Sequence, residues 1–168
     1  MIYYVVIIKR ELCQRVCFRQ LVSIVAQRIG GLVNIALIAH DSKKELMVQF
    51  CIAYYGTFSN NTLCATGTTG KLVSEATGLK IHRYLSGTQG GVQQVISAIF
   101  CNDIDILFFF RDPLSVKEES RPDDVNILRV CDAHNIPMAT NIATGEALIH
   151  ALERGDFAWR DIDKGLKL

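Results

Sequence analysis

The run Ile104-Asp105-Ile106-Leu107-Phe108-Phe109-Phe110 restricts the fold of this chain more than any other stretch. Six of its seven residues are bulky and apolar, so as a strand it has no face to turn to water. Such a segment belongs inside a parallel sheet whose two faces are both covered by helices. Asn34-Ile35-Ala36-Leu37-Ile38-Ala39 has the same character. Two such runs in one short chain point to an α/β domain with both strands near the centre of the sheet.

The rest alternates accordingly. Apolar residues at helical intervals predict helices over residues 45–54, 71–77, 92–100, 125–134 and 144–154. Shorter strands are expected at 62–65, 79–84 and 136–141, with Gly78 and Gly155 as helix stops. Residues 115–124 are polar, with four acids, two bases and a proline, and read as an exposed loop or flap. No internal repeat is visible. The pattern predicts a single-domain, three-layer α/β sandwich with a mostly parallel, doubly wound, flavodoxin-like sheet.

With 168 residues, nearly half of them hydrophobic, one domain with a substantial core is expected. The formal charge of +1 gives no electrostatic reason to expect nucleic acid or a membrane surface as partner. The six cysteines are scattered through apolar segments without metal-ligand spacing, which predicts reduced thiols, a cytoplasmic setting and no bound metal. Residues 1–33 differ from the remainder, carrying Lys9, Arg10, Arg15, Arg19 and Arg28 against the single acid Glu11; without them the charge is −3, from 13 basic against 16 acidic residues. The apolar run from Ile2 to Ile8 is too short to span a bilayer, and the charges that follow it do not suit a secretory signal. Two readings stand: an extension of residues 1–33 with Val22, Ile24, Val25 and Ile29 on one helical side, or a start assigned too far upstream, with Val33 as initiator. The domain itself is read as residues 34–168.

The candidate chemistry gathers where strands end. In Cys64-Ala65-Thr66-Gly67-Thr68-Thr69-Gly70 a strand runs into glycines and hydroxyls before a helix, an arrangement that serves as a phosphate cradle or as a plain helix cap. Leu85-Ser86-Gly87-Thr88-Gln89-Gly90-Gly91 is a second such turn. His40, Asp41 and Lys44 follow the first strand, with Asp41 or Ser42 as its helix cap, and Asp112 follows the phenylalanine run. A phosphate grip beside carboxylates and an imidazole suits proton abstraction next to a carbonyl.

Several of these motifs, in order, resemble the methylglyoxal synthase family: Ala39-His40-Asp41 with Lys44, Ala65 to Gly70, Ser86-Gly87 with Gly90-Gly91-x-Gln93-Gln94, Phe109 to Leu114, and Ile136-Pro137-x-Ala139-Thr140-Asn141. The resemblance runs unbroken from Asn34 to about Ile162. It implies a phosphate lyase that converts dihydroxyacetone phosphate into methylglyoxal and inorganic phosphate, without cofactor or metal. A homohexamer regulated by phosphate is implied as well. By the same resemblance His40, Lys44, Thr66, Gly67, Thr68, Thr69, Ser86 and Gly87 hold the substrate phosphate, and Asp41, Asp112 and Asp124 form the carboxylate cluster. Two positions depart from the family pattern. Val92 stands where the family has the aspartate that acts as base, and Arg121 stands nearest to a histidine that donates to the enediolate oxygen. Either another carboxylate takes over, Asp112 or Asp41 with its pKa raised beside Val92, or the chain is a binding module without turnover. His134 reads as a structural cap. A phosphorylated response domain is a weaker match, since a lysine is expected near the last strand and Thr140-Asn141 stands there.

Overall fold

The computed structural model describes residues 32–114 and 122–157. The expected amphipathic N-terminal segment, Cys13, Cys17 and Arg121 lie outside the described residues. Leu32–His150 forms one compact unit.

Five parallel strands make one sheet in the order β3-β2-β1-β4-β5: β1 Asn34–Ala39, β2 Thr62–Ala65, β3 Ile81–Arg83, β4 Ile106–Phe110 and β5 Met138–Ala139. The helices are α1 Lys44–Ala53, the short α2 Tyr55–Ser59, α3 Gly67–Thr77, α4 Gly91–Phe100, α5 Pro122–Ala133 and α6 Ile142–Glu153. This is the doubly wound α/β architecture expected from the two apolar runs, and those runs are the adjacent central strands, in register from Ile35 against Ile106 to Ala39 against Phe110.

β4 shows why a strand without a polar face is required. Phe108 and Phe110 meet Phe50 of α1, and Phe108 also meets Phe58 of α2, at ring separations of 5.2–5.7 Å. The alternate residues Leu107 and Phe109 join a different cluster, with Val95, Ile96 and Ile99 of α4 and Ile127, Val130 and Cys131 of α5. All five strand residues are buried. Truncating a phenylalanine in such a place to alanine costs about 3–5 kcal/mol.

Several boundaries move. The helix expected from residue 71 begins at Gly67, so the Thr-Gly stretch is the first turn of α3 rather than a loop ahead of it. Neither Asp41 nor Ser42 caps α1: they form a 3-10 turn with Lys43, and Ser42 reaches Asp112 instead. The expected loop ends sooner, because Pro122, Asp123 and Asp124 form the first turn of α5. Acidic residues there suit the positive end of the helix dipole. His134, in the turn after α5, stacks edge-on against Phe100 at 5.0 Å.

Candidate active site

β1 and β4 are the neighbours at which the winding reverses direction, and α/β sheets bind ligands beyond the carboxyl ends of such strands. His40 leaves β1 at that point. Its backbone N–H donates to the carbonyl of Phe110 at 3.0 Å, and its ring lies edge-on to Phe109. The N–H of Asp112 donates to His40 Nδ1 at 3.1 Å, so Nδ1 carries no proton. The ring proton is therefore on Nε2, which lies 2.8 Å from Asp124 Oδ2. His40 is 4% exposed and Asp124 5% exposed. A buried carboxylate is thus held by an imidazole whose tautomer is set from the opposite side by a backbone amide.

The second wall is built by α3. Thr66 is its N-cap residue, and the Thr66 hydroxyl meets that of Thr69 at 3.3 Å instead of capping a backbone N–H. Gly67 N–H donates to the Leu85 carbonyl at 2.9 Å. A Cβ on Gly67 would lie 2.9 Å from the Tyr84 carbonyl oxygen, so this glycine permits a close approach between helix and turn. Gly91 is tighter still: its Cβ would lie 1.9 Å from the Leu85 oxygen. Gln94 Oε1 accepts the Leu85 N–H at 2.8 Å and fixes the turn from the helix side. Lys44 Nζ donates to Asp41 Oδ1; the lysine side chain is 19% exposed and the aspartate 76%.

These walls enclose a cleft of about 240 Å³. Of the residues singled out in the sequence, His40, Asp41, Lys44, Thr66, Thr68, Thr69, Ser86, Gly87 and Asp124 line it, and so does Val92. Gly67 and Asp112 do not belong to the lining. Asp112 departs from expectation in a second way. Ser42 Oγ donates to its Oδ2 at 2.6 Å and the Leu114 N–H to its Oδ1 at 3.2 Å. These bonds stabilise the charged form and hold its pKa below the ordinary carboxyl value, where a raised one was expected beside Val92. The sequence reading took Ser42 only as a helix cap, and it gave no role to Thr88, the second hydroxyl of the glycine-rich turn, which lines the cleft. A hydroxyl inside a turn already under suspicion was the available signal.

Residues 47–140 match the family model described as MGS-like domain. The chain is 61% identical over 130 residues to a methylglyoxal synthase of Caldicellulosiruptor saccharolyticus, covering 77% of this chain and 92% of that protein. The chain belongs to the methylglyoxal synthase family. A methylglyoxal synthase of Oceanobacillus iheyensis is 52% identical over 132 residues, 79% of this chain and 94% of the relative. In three dimensions the crystal structure of methylglyoxal synthase from Elizabethkingia anophelis NUHP1 superposes with a TM-score of 0.64 at 39% identity, over 70% of this chain and 77% of that one.

Against the family pattern, Val92 is the informative residue. It sits in the first turn of α4, 7% exposed, in the cleft wall where the pattern has an aspartate. Among the described residues, the carboxylates that line the cleft are Asp41, paired with Lys44, and Asp124, paired with His40. Asp41 is largely solvated and Asp124 is buried.

Proposed function

We propose that the chain is a methylglyoxal synthase, a carbon–oxygen lyase that converts dihydroxyacetone phosphate into methylglyoxal and inorganic phosphate. The observation that carries this reading is the meeting, in one cleft, of the hydroxyl-rich start of α3 with the buried His40–Asp124 pair. The substrate phosphate is gripped by Lys44, Thr66, Thr68, Thr69, Ser86 and Gly87, aided by the partial positive charge of the α3 N-terminus. Asp124 removes a proton from the hydroxymethyl carbon, and the electron pair forms the enediolate. The hydroxyl on that carbon passes its proton to the enediolate oxygen and closes to an aldehyde, the double bond shifts toward the phosphate-bearing carbon, and the carbon–oxygen bond breaks with its electron pair leaving on phosphate. The enol that remains takes a proton on carbon to give methylglyoxal. Arg121, standing where the resemblance implies a histidine, provides positive charge for the enediolate oxygen. Asp41 offsets the Lys44 charge while the cleft is empty. Asp112 acts through the backbone N–H that orients His40.

The same reading includes a homohexamer with inorganic phosphate as regulator, carried over from the family resemblance, and residues 34–168 as the domain. It also includes a cytoplasmic location. Cys51, Cys64 and Cys131 are free and buried, and burial pushes each thiol up to about 12, in keeping with a reducing compartment. Among the described residues no helix is long and apolar enough to cross a membrane.

Val92 favours a second reading, a phosphate-binding module without turnover, because a valine accepts no proton. Incubating the purified chain with dihydroxyacetone phosphate and following methylglyoxal and phosphate release distinguishes the two. Turnover by the parent is expected. No turnover by the parent with a strong gain in Val92→Asp would leave only the binding module.

A further inference from the structure

Thr88 lies in the 3-10 turn Gly87–Gln89 and lines the cleft, yet neither the family resemblance nor the fold gives it a task. Its Oγ1 is 3.2 Å from Ser86 Oγ, and Ser86 Oγ is 2.9 Å from Gln89 Oε1. A hydroxyl has one proton to donate, and an amide oxygen only accepts. The Ser86 proton is therefore committed to Gln89, so the bond between Ser86 and Thr88 is made by the Thr88 proton. The three side chains form a one-way relay, Thr88 to Ser86 to Gln89, in which both hydroxyl protons are engaged with the turn itself. The unprotonated oxygens of a phosphate can only accept. Phosphate binding at Ser86 requires that hydroxyl to leave Gln89, and once it rotates, Thr88 is released to donate as well.

We propose that Thr88 is a further phosphate-binding residue of the cleft, and that Gln89 is a latch holding the Ser86 and Thr88 hydroxyls in the turn until an anion recruits them. The inference rests on reading the cleft as a phosphate site. Occupied, the site gains two hydroxyl donors where the resemblance supplies one. Gln89 is solvent-exposed, so its freed oxygen bonds to water and the exchange is inexpensive. The extra donor favours a dianionic phosphate group over a singly charged carboxylate of similar size.

Inorganic phosphate titrated calorimetrically into the full chain tests this with Thr88→Val, Thr88→Ser and Gln89→Met. Thr88→Val keeps the shape without the hydroxyl and is expected to bind phosphate about tenfold more weakly, a loss of ~1.4 kcal/mol. Thr88→Ser keeps the donor and should stay within about twofold of the parent. Gln89→Met removes the latch and should bind about threefold more tightly. The KM for dihydroxyacetone phosphate should rise in Thr88→Val in step with the phosphate Kd. Unchanged phosphate binding in Thr88→Val, or weaker binding in Gln89→Met, overturns the proposal. A parent that binds phosphate but makes no methylglyoxal fails the lyase reading alone, and the binding ratios still decide the role of Thr88. A parent that binds no phosphate overturns both.

Discussion

Asp124→Asn separates the chemistry of the cleft from its architecture. Asparagine has the shape of aspartate and keeps an amide oxygen to accept the His40 Nε2 proton, whose position is set by the Asp112 N–H on the far side of the ring. The substitution turns a charge-assisted hydrogen bond into a neutral one, a loss of about 1 kcal/mol of stability. An unfolding midpoint lowered by a few degrees is expected. Proton abstraction is affected far more: general-base catalysis contributes about 10²–10⁴ in rate, and an amide at this position supplies none of it. Steady-state kinetics should thus show kcat reduced by at least about a hundredfold, with phosphate held at least as tightly as by the parent, because the phosphate wall is untouched and one negative charge has left the cleft. Asp124→Ala is the control that confuses the two effects. It removes the His40 Nε2 bond and opens a void as well. An Asn variant that keeps more than about a third of the parent kcat would refute Asp124 as the base.

Gly91→Ala places a methyl group 1.9 Å from the Leu85 carbonyl oxygen and 2.9 Å from that of Ser86, both backbone atoms that cannot rotate away. Overpacking of this kind costs about 3 kcal/mol, to be read from urea unfolding, and phosphate binding should weaken because the Ser86 turn must shift; an unaltered urea midpoint would contradict this. Ser42→Ala removes the largest cause of the lowered Asp112 pKa, so the Asp112 midpoint in an NMR titration should rise; no movement would count against the Ser42 bond. In sign, the native pKa lies below the ordinary value of 3.8, so the associated stability is whole above 3.8 and is lost as pH falls through the lower native value; Ser42→Ala narrows that acid window. Val92→Asp adds a carboxylate to a cleft that must accept a phosphate dianion. Two unit charges about 8 Å apart repel by ~2 kcal/mol at an effective dielectric constant of about 20, so calorimetry should find phosphate binding roughly thirtyfold weaker, and undiminished affinity would show that the new side chain points away.

What was legible in the sequence depended on whether the cause was local. β1 and β2 were bounded correctly because burial on both faces leaves a continuous apolar run with polar ends. β4 begins later than its apolar run suggests, because Asp105 uses its carboxylate to accept the Asn34 N–H at 2.9 Å and so anchors the entry to β1. The start of α3 was misplaced because Gly67 and Gly70 read as helix breakers. Their reason is tertiary: a Cβ at Gly70 would lie 3.1 Å from that of Ala65, and no local pattern announces such a neighbour. The phosphate wall was readable because hydroxyls and glycines lie together in sequence. The His40–Asp124 pair joins residues 84 positions apart; the family resemblance assigned them separately, to the phosphate and to the carboxylate cluster, and did not pair them. The acids at 123 and 124 were a local signal for a helix start, overlooked amid the charges that precede them.

Val92 is therefore more than a missing base. Among the described residues the cleft has Lys44 as its one lysine, and that lysine already answers Asp41, while Asp124 is answered by a neutral imidazole. A further carboxylate at 92 would leave two buried or half-buried acids facing an incoming dianion, and mutual repulsion would drive one of them to hold a proton. With valine, Asp124 is the one buried carboxylate of the cleft wall among the described residues. The exchange shifts the balance from proton-transfer power toward phosphate affinity. A lyase built this way should turn over without a carboxylate at 92 and hold phosphate more tightly than its own Val92→Asp variant, whereas a binding module should show the same difference in affinity but turn over only in the variant.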